Sequence, residues 1–139
     1  MLHYSYPQIA VEEVPGEIAY AISLSGCQLA CKGCHSAETW NPTFGSPITP
    51  SVLAAILQKQ KHISAVLFYG GEWSPYELEA LFIVCQSANL KICLYTGLEL
   101  KEVPDKLLPY ITTIKVGRYI EELGGISKEL TNQRIIQLK

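Results

Sequence analysis

Charge is scarce in this chain. Asp, Glu, Lys and Arg make up 17% of its 139 residues, the formal net charge is −2, and no run of Lys or Arg occurs. Nucleic acid and anionic membrane both call for a basic stripe, so neither is an expected partner. Long apolar runs are missing as well. None approaches the roughly 18 residues that span a bilayer. The opening Met1-Leu2-His3-Tyr4-Ser5-Tyr6 lacks the basic segment and apolar core of a secretory signal. Internal repeats and low-complexity segments are also absent. Yet 48% of the residues are apolar, which excludes disorder and supplies a core for one domain over residues 1–139.

Five cysteines is an odd number, and three of them are crowded together. A secreted disulfide framework would be even and more evenly spread. The count favours a reducing cytoplasm and metal-ligating thiolates. The crowded group reads Gly26-Cys27-Gln28-Leu29-Ala30-Cys31-Lys32-Gly33-Cys34-His35, a C-x-x-x-C-x-x-C spacing. Three thiolates can ligate three irons of a four-iron cluster and leave the fourth open, whereas an electron-transfer cluster usually has four cysteine ligands. An open metal position is where a ligand binds and reacts. The competing reading is a structural zinc ion, which prefers four ligands. The only nearby fourth candidate is His35, and its adjacency to Cys34 makes joint ligation awkward.

The rest of the chain alternates strands and helices. Pro15-Gly16 marks a turn, and Ile18 to Leu24 reads as the first buried strand, running straight into the cysteine loop. Thr49-Pro50 opens a helix with a Leu53, Ile56, Leu57 stripe. Ala65 to Tyr69 is a continuous apolar run of the kind buried parallel strands show, ending at Gly70-Gly71. Ser74 to Glu77 reads as a capping box before a helix whose Leu78, Leu81, Phe82 and Cys85 face the core, with Asn89 as its stop. Ile92 to Tyr95 is a third strand closed by Thr96-Gly97. A poor helix interrupted by Pro104 follows, then a strand from Thr112 to Val116 closed by Gly117, and a last strand from Arg134 to Leu138.

This alternation predicts an α/β fold on a mostly parallel sheet. A closed eight-fold barrel typically takes about 250 residues, so the expectation is an incomplete, open (β/α) barrel. The cysteine loop, Gly70-Gly71, Thr96-Gly97 and Gly117 each follow a strand. They should therefore share the carboxyl edge of the sheet, where ligands bind in such folds.

The cysteine spacing resembles the radical S-adenosylmethionine (SAM) superfamily, and Gly70-Gly71-Glu72 resembles its Gly-Gly-Glu motif. Family members usually place a proline directly after the acid, where this chain has Trp73. Gly33 before the third cysteine, in place of the usual aromatic residue, is similar to the activating proteins of anaerobic ribonucleoside-triphosphate reductase. The likeness extends through Pro15-Gly16-Glu17, Ser36 to Trp40, Tyr95-Thr96-Gly97, Gly117 to Gly124 and Thr131 to Arg134. Many members have Asp-Gly where this chain has Val116-Gly117.

The resemblance implies a barrel of the radical SAM type and a 4Fe-4S cluster on Cys27, Cys31 and Cys34. It implies SAM beside Gly33, Cys34 and His35, with Gly70, Gly71 and Glu72 at its methionyl end. Thr96 is a further candidate by its place at the mouth. No catalytic residue beyond the cluster and SAM is implied. The implied reaction is reductive cleavage of SAM to a 5′-deoxyadenosyl radical, which takes a hydrogen from a glycine of the large reductase subunit. A protein such as flavodoxin would supply the electron. Another glycyl-radical enzyme, or a small molecule as in carboxy-deazaguanine synthases, is the alternative substrate, and a zinc-binding interaction module the alternative class.

Cys85 and Cys93 are expected in the core, His62 as a solvated helix-end residue and His3 as a terminal one. Trp40 and Trp73 default to aromatic core, with pocket walls or a docking surface as the alternative. Asn132-Gln133-Arg134 either touches SAM or the partner, or only caps the last strand. Anaerobically purified protein should carry iron and sulfide with a broad visible absorption band. One zinc per chain and no such band would identify the interaction module instead.

Overall fold

Among the described residues, the apolar runs are realised as an open sheet with two α-helices packed on one face. The computed structural model describes residues 1–27, 37–117 and 133–139. In chain order the strands and helices are β1 (His3–Ala10), β2 (Ala19–Leu24), β3 (Ser46–Pro47), α1 (Pro50–Gln58), β4 (Ala65–Tyr69), α2 (Pro75–Ser87), β5 (Lys91–Tyr95), β6 (Thr113–Val116) and β7 (Arg134–Gln137). The sheet order is β3-β1-β2-β4-β5-β6-β7. Strands β2, β4, β5 and β6 run parallel. Strands β1, β3 and β7 pair antiparallel at the two sides. The expected α/β fold on a mostly parallel sheet is present, and the sheet does not close.

Period-2 alternation sorts the side chains of the parallel strands onto two faces. Tyr20, Ile22, Leu24, Val66, Phe68, Ile92, Leu94, Ile114 and Val116 meet Leu53 and Leu57 of α1 and Leu78, Leu81, Phe82 and Cys85 of α2. Phe68 and Phe82 meet edge-on, ring centroids 5.3 Å apart. On the opposite face Ala19, Ala21 and Ala65 are small enough to admit Val14, which comes from the turn between β1 and β2 and is fully buried.

Sequence and structure part in four places. Strands β1 and β3 are additions, so the strand anticipated at Ile18 to Leu24 is the second. Strand β1 contains Pro7, has a register shift between Ser5 and Gln8, holds Tyr6 at φ 52°, and is largely exposed. It therefore lacks the apolar alternation by which strands are recognised. The capping box at Ser74 does not form, since Ser74 makes no side-chain cap bond. Glu77 instead accepts from the backbone N–H of Leu2 at 2.6 Å, a contact 75 residues away in sequence that outcompetes the local one. The segment around Pro104 forms two single 3-10 turns, Leu100–Glu102 and Leu108–Tyr110, rather than a helix.

The Thr49 cap is as expected, its hydroxyl accepting from Val52 N at 3.3 Å. Asn89 ends α2 in the left-handed region, at φ 58°. Phe82→Ala should cost about 3–5 kcal/mol of stability through the cavity it leaves, read as a fall in the urea midpoint with an unchanged slope.

Candidate functional site

In-register parallel pairing brings Ser23, Tyr69, Tyr95 and Lys115 into one row across the last turn of the sheet. Beyond that row the chain leaves β2 into Ser25-Gly26-Cys27, β4 into Gly70-Gly71-Glu72, β5 into Thr96 and β6 into Gly117. The structure thus brings Cys27, Gly70, Gly71, Glu72 and Thr96 to one edge, as the sequence predicts. Cys31, Gly33, Cys34 and His35 lie outside the described residues.

Both arms of the cysteine segment are anchored. The Gly26 N–H donates to Thr39 O at 2.6 Å and Ser25 N to His3 O at 3.0 Å. The Ser25 hydroxyl donates to Phe44 O at 2.7 Å. The chain entering the segment is therefore tied to the chain that leaves it, and Cys27 sits half-buried at the start. Among the described residues, no group of three or more His, Cys, Asp or Glu side chains stands close enough to hold a metal ion.

At Gly70 and Gly71, φ is 87° and 104°, values that side chains rarely tolerate. A Cβ on Gly71 would also collide with Leu24, and one on Gly70 would lie 2.5 Å from the Trp73 ring. The turn therefore drops tightly onto the core and delivers Glu72 into the interior. Glu72 is only 6% exposed. Its Oε1 accepts from the Thr96 hydroxyl at 2.6 Å, and that hydroxyl accepts in turn from Leu98 N at 3.1 Å. Glu72 Oε2 is buried with no hydrogen-bond partner among the described residues. Burial pushes the carboxyl above its ordinary range, against the smaller opposing effect of the Thr96 bond. An anionic oxygen without a donor is an expensive group to bury, and a cationic ligand would satisfy it.

Three further residues of this edge escaped the sequence reading. Lys115 is half-buried, its ammonium 4.8 Å from the Tyr95 ring centroid, and loss of solvent lowers its pKa while the Glu13 charge opposes that. Tyr69 and Tyr95 pack edge-on at 5.8 Å, and the Tyr95 hydroxyl donates to the Glu13 carbonyl. Burial, followed by the Glu13 charge, raises the Tyr69 phenol to about 12. The signal was available: tyrosines and a lysine occupy the last position on the face opposite α1 and α2 in three successive strands.

Cys85 and Cys93 are buried as expected, and burial raises their thiols to about 12 and about 11. His62 is exposed, whereas His3 opens β1. Trp40 is 38% exposed, and Trp73 packs half-buried against the core. In the tail, Gln133 Nε2 donates to Gly117 O at 3.4 Å and Arg134 pairs with Glu99 at 3.0 Å. Asn132 lies outside the described residues.

This site sits within a recognisable class. The family described as "4Fe-4S single cluster domain" matches residues 15–136, and the chain belongs to it. Its relatives include the anaerobic ribonucleoside-triphosphate reductase-activating protein of Vibrio cholerae serotype O1, 30% identical over an alignment covering 88% of this chain and 86% of the relative. The protein of the same name from Haemophilus influenzae is 27% identical, covering 71% and 72%. The 7-carboxy-7-deazaguanine synthase of Flavobacterium psychrophilum is 26% identical but covers only 59% of this chain and 38% of its own length. No solved structure matches the chain at a significant level. No helix among the described residues is long and apolar enough to cross a membrane.

The raised Glu72 pKa has a signed consequence. The folded chain holds this proton more tightly than the unfolded chain, so the buried charge costs nothing in acid. Its cost grows as pH rises from the ordinary 4.5 through the raised value. The stability of Glu72→Gln relative to wild type should therefore rise from acid to neutral pH, apart from a constant offset. Urea midpoints across that range check this, and a flat or falling difference contradicts it.

Proposed function

We propose that this chain holds a 4Fe-4S cluster on Cys27, Cys31 and Cys34 and cleaves SAM there, installing a glycyl radical on the large subunit of anaerobic ribonucleoside-triphosphate reductase. The observation that carries this reading is the convergence of Cys27 with the Gly70 to Glu72 turn at one sheet edge, where Glu72 accepts a hydrogen bond from Thr96. Family membership and the names of the relatives from Vibrio and Haemophilus support it. In this reading, residues 1–139 form one domain, and the open sheet is an incomplete barrel of the radical SAM type.

The residues fit the two groups. Thiolates are the usual ligands of iron–sulfur clusters, and three of them leave one iron for a ligand. The buried, unpartnered Glu72 Oε2 suits a cationic amine such as the methionyl ammonium. Bound together, cluster and SAM would supply a one-electron cleavage of the sulfonium C–S bond, giving a radical able to take hydrogen from glycine.

The chain's own part is to bind and orient. Thr96 holds Glu72 in one rotamer. Gly70 and Gly71 bring the turn down so that Glu72 reaches the edge. Gly33, Cys34 and His35 line the ligand on the cluster side. An electron donor such as flavodoxin and a cytoplasmic location complete the reading.

Reduced, reconstituted protein with SAM and the reductase should give a glycyl radical signal by electron paramagnetic resonance. Deoxyadenosine release without that signal would move the reading to another glycyl-radical enzyme or to a small molecule, the substrate class of the Flavobacterium relative. Cys31→Ala should abolish SAM cleavage, whereas Cys85→Ala should lose only stability.

A further inference from the structure

Trp73 stands between the two loops that the functional reading joins. Its indole Nε1 lies 2.8 Å from where a Cβ on Gly26 would be, and its Cη2 and Cζ3 lie 2.5 and 3.0 Å from a Cβ on Gly70. One edge of the ring therefore faces the residue directly before Cys27, and the other faces the first residue of the Gly-Gly turn. The ring also packs half-buried against the core. Its backbone position is fixed by the turn that starts α2, where Ser74 N donates to Gly71 O at 3.0 Å. A rigid, flat side chain is thus held from below and touches both loops without belonging to either motif.

We propose that Trp73 is a positioning residue that sets the spacing between Gly26-Cys27 and the Gly70–Glu72 turn, and thereby the fit of a ligand held at both. This inference rests on the functional reading above, in which SAM is held by the cluster at one end and by Gly70 to Glu72 at the other. A ligand gripped at two points is sensitive to the distance between its anchors, because binding energy is lost when either end is misplaced. The ring fills the space that any Cβ on Gly26 or Gly70 would take, so neither loop can approach the other while it is present. Removing it leaves a gap between Gly26 and Gly70. A side chain serving packing alone would, on truncation, cost stability and leave ligand affinity in the folded protein unchanged.

The test is the series Trp73→Phe, Trp73→Leu and Trp73→Ala in reconstituted, reduced protein, with iron content measured for each. SAM is titrated while the paramagnetic signal of the cluster is followed. Iron content should stay at the wild-type level, while SAM affinity falls with side-chain size, to roughly tenfold or more weaker for Trp73→Ala and least for Trp73→Phe. Equal SAM affinity across the members that fold and load iron, Trp73→Phe and Trp73→Leu included, would overturn the inference. So would loss of iron in step with loss of affinity. A wild-type protein whose signal ignores SAM would overturn the functional reading and this inference with it. A wild type that responds alongside a series that does not vary would overturn this inference alone.

Discussion

Parallel pairing of β2, β4, β5 and β6 in unbroken register is the constraint on which the rest depends. Each strand of such a set must end at the same edge, so the loops that follow are brought together whatever their distance in sequence. Here the pairing Ser23–Tyr69–Tyr95–Lys115 sets the last shared row. A one-residue slip of β4 would turn Tyr69 to the helix side and carry the Gly-Gly turn out of reach of Leu24. Ladder hydrogen bonds and two buried faces specify that register, so the site inherits its geometry from the core.

On that foundation the edge is joined by a few polar bonds of high local consequence. Gly26 to Thr39 and Ser25 to Phe44 fasten the ends of the cysteine segment. Glu72 to Thr96 fastens the loop after β4 to the loop after β5. The last bond is unusual because it keeps a carboxylate inside the protein while satisfying only one of its oxygens. Most of a protein avoids that arrangement, and functional sites are where it is tolerated.

Much of this was legible in the sequence, for physical reasons that differ by element. Strands β4 and β5 are buried on both faces, so their runs of apolar residues are unambiguous. Thr49-Pro50 and Asn89 declare helix ends through local backbone chemistry. The cysteine spacing and Gly70-Gly71-Glu72 pointed to the site because ligation and tight turns demand those residue types. Strand β1 was not legible: it is an exposed, bulged strand containing a proline, held by its neighbours rather than by its own pattern. The role of Glu77 was hidden because its partner, the Leu2 backbone, is remote in sequence. Trp73 and Lys115 had no motif to announce them, and their significance comes only from what the folded chain sets beside them.

The two cysteines in the core have a consequence for the chemistry of the whole chain. Cys85 and Cys93 are sealed from solvent, and burial disfavours their thiolates, the form that attacks oxidants and captures metal. A native thiol count with a polar alkylating reagent would register at most three of the five sulfurs, and full reactivity would appear only on unfolding. Incoming iron meets the same partition. The fold thereby separates sulfur that can be spent on ligation from sulfur that serves as hydrocarbon, and an excess of cysteine in the sequence does not become competition for the metal.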